Sequence, residues 1–444
     1  MKVGILVGRR TANKDFILQL VRTPEEEEGD AALRLLDSSF QSSGTRKGSN
    51  KSNKKIKLDN EWIVEHACQL ARILPGGLSV LGVYVACTSE PFQNSQAEFM
   101  ALLKEINKEL PTVIGSKPIE ADILIHLDSL KAVLTGKELA DSGFKPCNLK
   151  NSSLLTDMVE IQCKYDLDLD IDMSDDKQIL GDVFQGAINW EVEHRVKPAV
   201  PLLLGHVPSS QEQLVDIIHR EGLSFIEIDL MKPVSGQGLP TVPYLATKIA
   251  KPKSGVLSSK GGIRFEGLME CRAYVHRRES VSCAVESIKQ DIEMSLRSRL
   301  EILMEAAEMA TEAMERERKS PHAKTKHPLL DNASKCGSYK PHFPRRAFLK
   351  WRVGVCCYCD FIVEGDGLSE ALHRIRELVG EGKVDATTFQ CKEAARQPQE
   401  MPSSKDKKHK SIGKAFALPS CNIMLLGTVI AATLGIWIAA LGIS

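Results

Sequence analysis

Residues 59–85 read DNEWIVEHACQLARILPGGLSVLGVYV and hold a helix start, a helix stop and a buried strand in succession. Asp59 or Asn60 supplies the short polar side chain that accepts from free amides at a helix N-terminus. Ile63, Ala67, Leu70, Ala71 and Leu74 then recur at spacings of three and four, one face of an α-helix. Pro75, Gly76 and Gly77 end it, because proline lacks an amide donor and glycine favours leaving the helix. LSVLGVYVAC follows as a near-continuous apolar run, the signature of a strand covered on both faces. A helix feeding such a strand predicts a mixed α/β (α+β) chain.

Working towards the N-terminus, Val3 to Val7 and Phe16 to Val21 are apolar runs around the charged turn Arg9 to Lys14, a hairpin signal. Residues 24–57 are acidic, then rich in Ser, Gly and Lys, and read as a mobile loop. Towards the C-terminus a helix is expected from about Gln96 to Leu110, then a strand ADILIHL. In DLDLDIDM, Leu167, Leu169, Ile171 and Met173 alternate with Asp166, Asp168, Asp170 and Asp172, which puts the carboxylates on one strand face. A calcium site needs carboxylates converging from a sharply turning loop. The expectation is therefore a solvated edge strand whose charges oppose aggregation.

The second half predicts two strand–helix units. Met269, Cys271, Ala273 and Val275 alternate with polar residues and lead into a helix from about Ser280 to Arg316, striped by Val285, Ile288, Ile292, Leu296, Leu300 and Leu303. Val353, Val355, Cys357, Cys359 and Phe361 form one face of a second strand, followed by a helix from Leu368 to Val379. Ser320 to Pro344 reads as a loop between them.

The last residues, CNIMLLGTVIAATLGIWIAALGIS, carry no charge between Ile423 and Ile443. A helix of that length crosses a ~30 Å hydrocarbon core, so one C-terminal transmembrane helix, a tail anchor, is predicted. Lys405, Lys407, Lys408, Lys410 and Lys414 precede it, which predicts a cytosolic body. MKVGILVGRR has too short an apolar core for a signal peptide. In the cytosol the 12 cysteines are expected as core thiols, and the triplets at Asn50, Asn151 and Asn332 escape glycosylation. The 444 residues have net charge +0 and a pI near 7.1, which excludes a global basic field for nucleic acid.

Catalytic signals are sparse. Cys356 and Cys359 form a Cys-x-x-Cys pair, but a closed zinc site needs four ligands and thioredoxin-like chemistry needs a helix start. Glu191, Glu193 and His194 lack metal-ligand spacing, and His66 points away from Cys68 two residues on. Phosphate loops, His-Glu-x-x-His and Gly-x-Ser-x-Gly are missing. No cofactor, metal site or enzymatic activity is expected.

Four blocks together are more specific: residues 59–85, ECRAYVHRRESVSCAVESIKQDI (270–292), PRRAFLKWRVGVCCYCDF (344–361) and the apolar end. In this order they closely resemble the odorant response abnormal protein four family over nearly the whole chain. That resemblance implies a protein of the endoplasmic reticulum membrane that aids folding and delivery of G-protein-coupled receptors. It also implies a partner, the ubiquitin-fold-modifier-specific protease, held at that membrane.

The first half is similar to a degenerate JAMM/MPN metalloprotease domain, an MPN-like mixed sheet with flanking helices. Its active members carry a Glu before the first strand, then Gly-x-x-His-x-His, then Ser-x-x-Asp. Here Gly4 to Gly8 occupy the first strand and Met1 stands at the Glu position. Gly82 begins the second strand, Val85 and Cys87 stand at the His positions, Ser95 matches the Ser, and Glu98 replaces the Asp. One thiol and one carboxylate are too few to hold a catalytic zinc, so the resemblance implies a pseudoenzyme.

The expected organisation is a catalytically silent domain over 1–255 (mobile over 24–57), a strand–helix domain or extension over 256–393, a linker over 394–420 and the anchor over 421–444. The helix bearing Trp62 and the helix after Ser280 are candidate docking surfaces. A noncatalytic adaptor is the leading function. The alternatives are a chaperone touching membrane clients through its transmembrane helix, with Gly427 and Gly435 permitting close packing, and a residual JAMM-type isopeptidase.

Overall fold

The computed structural model describes residues 1–25, 31–37, 54–114, 120–151, 157–172, 180–232, 262–316, 329 and 338–394. β1 (Lys2–Arg10) and β2 (Asp15–Arg22) form the expected hairpin, its turn closed by the Thr11 hydroxyl on the Lys14 backbone. β3 (Leu33–Asp37) pairs antiparallel with β4 (Lys54–Leu58), and Leu33, Ile56 and Leu58 enter the core. The mobile loop expected over 24–57 is corrected at both of these stretches. Their short apolar runs were outweighed by the charged sequence around them, and residues 26–30 and 38–53 lie outside the described residues.

α1 (Asn60–Arg72) starts where the Asp59 carboxylate accepts from the Trp62 amide at 3.1 Å. After the Pro75–Gly77 stop, β5 (Ser79–Cys87) runs antiparallel beside β1. α2 (Ser89–Asn94) and α3 (Gln96–Ile114) then carry the chain to β6 (Ile123–Asp128), which lies parallel to β5. β7 (Val133–Ala140) and β8 (Gly143–Cys147) complete a six-stranded sheet of order β2-β1-β5-β6-β7-β8. Ile63, Ala67 and Leu70 of α1 and Phe99, Leu102 and Ile106 of α3 pack with Val83 and Val85 in one core. As expected, β5 is an interior strand.

β9 (Met158–Asp172) begins a second sheet. α4 (Leu180–Glu191) runs into a π-helical turn, Val192–Val196, then come β10 (Val200–Leu203), α5 (Leu214–Glu221), β11 (Ile226–Met231), β12 (Gly262–His276), α6 (Val281–Arg316) and β13 (Ser338–Tyr339). The order is β10-β11-β9-β12-β13. The expected edge position of DLDLDIDM is thereby corrected. β9 is central, parallel to β11 and paired with β12 from Gly262↔Asp172 to His276↔Met158. Alternation reports which face is wet, not where a strand sits in its sheet. Leu167, Leu169 and Ile171 are buried, while Asp168 on the other face meets Arg264 at 3.0 Å.

α6 covers this sheet with Val285, Ile288, Ile292, Leu296 and Leu300, the expected stripe. The chain then returns to the first core. β14 (Arg345–Lys350) and β15 (Cys357–Ile362) form a hairpin, and α7 (Leu368–Val379) packs behind it. Phe348, Leu349, Cys357, Cys359 and Ile375 belong to the same cluster as Val83 and Val85. The strand expected to begin near Val353 is shorter, since Val353 is 62% exposed in the hairpin bend. β11 and β12 lie on either side of residue 255, yet both belong to the second sheet.

The mixed α/β class is observed as several sheets with flanking helices. The expected C-terminal transmembrane helix is corrected: among the described residues no helix is long and apolar enough to cross a membrane. Residues 394–420 fall almost entirely, and 421–444 entirely, outside the described residues.

Candidate functional site

β5 and β6 run parallel, so their C-terminal ends emerge side by side, with Cys87 opposite Asp128. This is the place in an open sheet where ligands usually sit, and it is where the metalloprotease resemblance puts its degenerate site. Val85 is fully buried in the core, and Cys87 is buried beside it. Burial pushes the Cys87 thiol up to about 11, so it is protonated at neutral pH. Ser95 is buried, and its hydroxyl accepts from the Ile56 amide at 2.7 Å, fastening β4. Glu98 lies exposed on α3, and Met1 is 54% exposed at the start of β1. The β1–β5 register, with Lys2 opposite Ala86, brings Met1 to the Cys87 end of β5, but the five positions have different surroundings. Val85 and Cys87 fill the core, Ser95 braces a strand and Glu98 faces solvent.

Ser89, His126 and Asp128 stand at the same sheet end and were not singled out by sequence. The Ser89 hydroxyl donates to Asp128, whose carboxylate also accepts from the amides of Leu130 at 2.9 Å and Lys131 at 3.1 Å. These bonds pull the Asp128 carboxyl down to about 2. His126 Nε2 donates to the Cys87 carbonyl at 3.1 Å, and its ring stacks on Phe92 at 3.9 Å. Burial lowers the His126 pKa, favouring the neutral ring. The imidazole Nε2 is committed to a carbonyl, and the carboxylate that Ser89 meets, held down at about 2, is a weak base. The polar groups hold the β6–β7 turn instead.

The Cys-x-x-Cys pair is also interior. The Cys359 sulfur accepts from Arg346 at 3.0 Å, and the Cys357 sulfur accepts from Tyr274 at 3.0 Å. Burial raises Cys359 to about 11 and Cys357 to about 12, and drives Cys356 well upward. Glu191 accepts from Tyr165 at 2.7 Å beneath the π-helical turn, while His194 stacks on Trp190. Among the described residues, no group of three or more His, Cys, Asp or Glu side chains is placed to hold a metal ion. Trp62, a candidate docking residue, donates to the Pro24 carbonyl at 2.9 Å and packs on the first core.

His66 is buried between α1 and α7. Its Nε2 donates to the Leu378 carbonyl at 3.0 Å, which leaves Nδ1 to accept from the Thr23 hydroxyl at 3.2 Å. The neutral ring satisfies both nitrogens, and burial lowers the pKa to about 4. The unfolded ring, with a pKa of 6.5, binds its proton first as pH falls. The stability tied to the neutral ring is therefore intact above 6.5 and lost between there and about 4. A urea titration series from pH 7 to pH 4 is expected to show a loss of about 3 kcal/mol from this group. His66→Gln should flatten that part of the profile.

A larger feature was missed by sequence. Two buried carboxylates, Asp291 and Glu393, each clamp a buried arginine and two backbone amides. Asp291 takes Arg346 at 2.7 and 3.0 Å, the Gly76 amide at 2.8 Å and the Arg272 amide at 2.9 Å. Glu393 takes Arg299 at 2.6 and 2.9 Å, the Glu270 amide at 2.8 Å and the Arg346 amide at 2.9 Å. Arg272 pairs with Glu270 at 2.6 Å and Glu160 at 3.1 Å. The helix stop at Gly76 thus docks on β12, where its amide also donates to the Arg272 carbonyl at 3.1 Å. One signal existed: Ser287, Asp291, Ser295 and Arg299 recur every four residues and are all buried, a polar stripe beside the apolar one on α6.

The model of the ODR4-like family, odorant response abnormal 4-like, matches residues 4–387. The human protein odr-4 homolog is 26% identical over 318 residues, covering 68% of this chain and 65% of that protein. The chain therefore matches slightly less than two thirds of that relative's length. The protein odr-4 homolog of Xenopus laevis is 21% identical over 96% of this chain and 90% of its own length. Odorant response abnormal protein 4 of Caenorhabditis elegans is 21% identical over 79% and 71%. Among solved structures, the crystal structure of UfSP from C. elegans overlaps with a TM-score of 0.36 at 9% identity, covering 85% of this chain and 52% of that one. A likeness that loose carries no argument.

Proposed function

Because the chain belongs to the ODR4-like family, we propose that it is a noncatalytic adaptor in the biogenesis of membrane proteins. In this reading it works at the endoplasmic reticulum membrane, supports folding and trafficking of clients such as G-protein-coupled receptors, and recruits the ubiquitin-fold-modifier-specific protease. The observation that carries the noncatalytic part is the filling of Val85 and Cys87 into the first core. A valine side chain has no lone pair to offer a metal, and burial holds the Cys87 thiol protonated at neutral pH, the form that is a poor nucleophile. In this reading the chain is a pseudoenzyme, a sheet with flanking helices in which Val85 and Cys87 serve packing.

An adaptor acts by holding two partners together. Its contribution is effective concentration: binding protease and client on one platform turns a bimolecular encounter into an intramolecular one. The test is affinity purification of the full chain from gently solubilised membranes. A modifier protease recovered in stoichiometric amount is the expected result. Recovery of receptors without a protease would overturn the recruitment reading and favour a chaperone that touches clients directly. Stoichiometric zinc together with isopeptide cleavage by the purified chain would overturn the noncatalytic reading.

A further inference from the structure

The first sheet ends, beyond Ala86 and Asp128, in apolar side chains exposed to solvent. Strand registers put Lys2 opposite Ala86, Ala86 beside Leu127 and Leu127 opposite Leu134. Side chains so paired lie in one row, here on the sheet face turned away from the core that holds Val85 and Cys87. Leu127 is 37% exposed and Leu134 55%. The β6–β7 turn adds Leu130 at 81% and Val133 at 50%. Four large apolar side chains within eight residues thus crowd a protruding hairpin tip, where scattered single exposures would be ordinary.

The charge around the tip is cationic. Lys2 ends the row and Lys131 sits in the turn, both exposed. In the next row inward Arg22 lies opposite Gly4, also exposed, and is paired with Glu25. Asp128 is buried, and its carboxylate is committed to Ser89 and two amides, so it offers no charge outward. Glu90, at the start of α2, is the exposed acid next to β5. The same Asp128 bonds hold the turn, so the apolar tip is displayed without being ordered by an occupant.

We propose that this end of the first sheet is a bilayer-contact surface for anionic phospholipid, a contact beyond the adaptor reading. Leu127, Leu130, Val133 and Leu134 enter the boundary between headgroups and acyl chains, while Lys2 and Lys131 meet lipid phosphates. Exposed lysines flank the apolar side chains, one in their row and one in the turn, which a negatively charged, apolar-cored surface complements.

The test uses the full chain with Leu130→Trp, mixed with vesicles of brominated phosphatidylcholine with or without phosphatidylserine. Emission is measured as a difference from the unsubstituted chain in the same vesicles. Val207→Trp, at a 64% exposed apolar position in the second sheet's β10–α5 loop, is the control. Quenching at position 130 but not 207, enhanced by phosphatidylserine, is expected. Lys2→Glu combined with Lys131→Glu should raise the vesicle concentration for half-maximal quenching roughly tenfold. An unquenched position 130, or equal quenching at 207, overturns the proposal. So does a blue shift at position 130 that grows with protein concentration in the absence of vesicles, which would make the tip an interface between copies of the chain.

Discussion

Asp291→Ala is expected to destabilise the folded chain by about 3–5 kcal/mol, because it strands a buried arginine without its carboxylate. Asp291 and Arg346 are both shielded from solvent, and their bond is bidentate at 2.7 and 3.0 Å. Removing the carboxylate also takes the Asp291 acceptor from the Arg272 amide and leaves the Gly76 amide with the Arg272 carbonyl alone. Arg346→Met should cost a similar amount, now by leaving a bare carboxylate. The double variant, Asp291→Ala with Arg346→Met, should be less destabilised than the sum of the singles by about 1–3 kcal/mol, since no unpaired charge remains. Urea titrations of the four chains measure this cycle. Additive losses would mean that the two side chains do not act as a pair.

The consequence is architectural. Asp291 lies on α6 over the second sheet, Arg346 begins the hairpin that returns to the first core, and Gly76 belongs to the loop between α1 and β5. One carboxylate joins the two sheets and the hairpin. An adaptor whose partners bind different parts of one platform requires those parts to stay in register.

Gly82→Ala is the second large effect, expected at about 3–5 kcal/mol from backbone strain plus overpacking. Gly82 has φ +154°, a conformation that side-chain-bearing residues rarely adopt, and an added Cβ would fall 1.8 Å from the Ile123 carbonyl oxygen. The neighbour is backbone of the adjacent parallel strand and cannot swing aside. The pairing of β1 with β5 shifts register between Leu6 and Val7, so the glycine sits at a bulge that bends the central strand. Gly267→Ala provides the comparison. Its φ is +150°, but nothing lies within 4 Å, so it should show only the strain, about 1–3 kcal/mol. Equal losses at the two positions would show that the close approach to Ile123 contributes nothing.

The candidate site was legible in a limited sense. The metalloprotease resemblance pointed to Val85, which cannot bind a metal, and to Cys87, one thiol too few for a site, and both lie in the core. It did not point to Ser89, His126 and Asp128, because their meeting depends on β5 and β6 lying side by side with Cys87 opposite Asp128. Nor did it point to the hairpin tip. VLTGKELA has ordinary strand composition, and its exposed leucines become notable only when the face they occupy is known to be open.

By itself the sequence determined the local elements. It marked α1 from its Asp59 cap to its Pro75–Gly77 stop, the β1–β2 hairpin, the alternating faces of β9 and β12, and the apolar stripe of α6. Each depends on hydrogen bonding and side-chain periodicity within a few residues, which any stretch of chain carries on its own. Tertiary structure alone decided that β9 is central and that β14, β15 and α7 return to the first core. It also decided that Arg346 finds Asp291 across 55 residues and that Arg299 finds Glu393 across 94. A charge can be buried only where a distant partner meets it, and nothing within a few residues of either end records which partner that is.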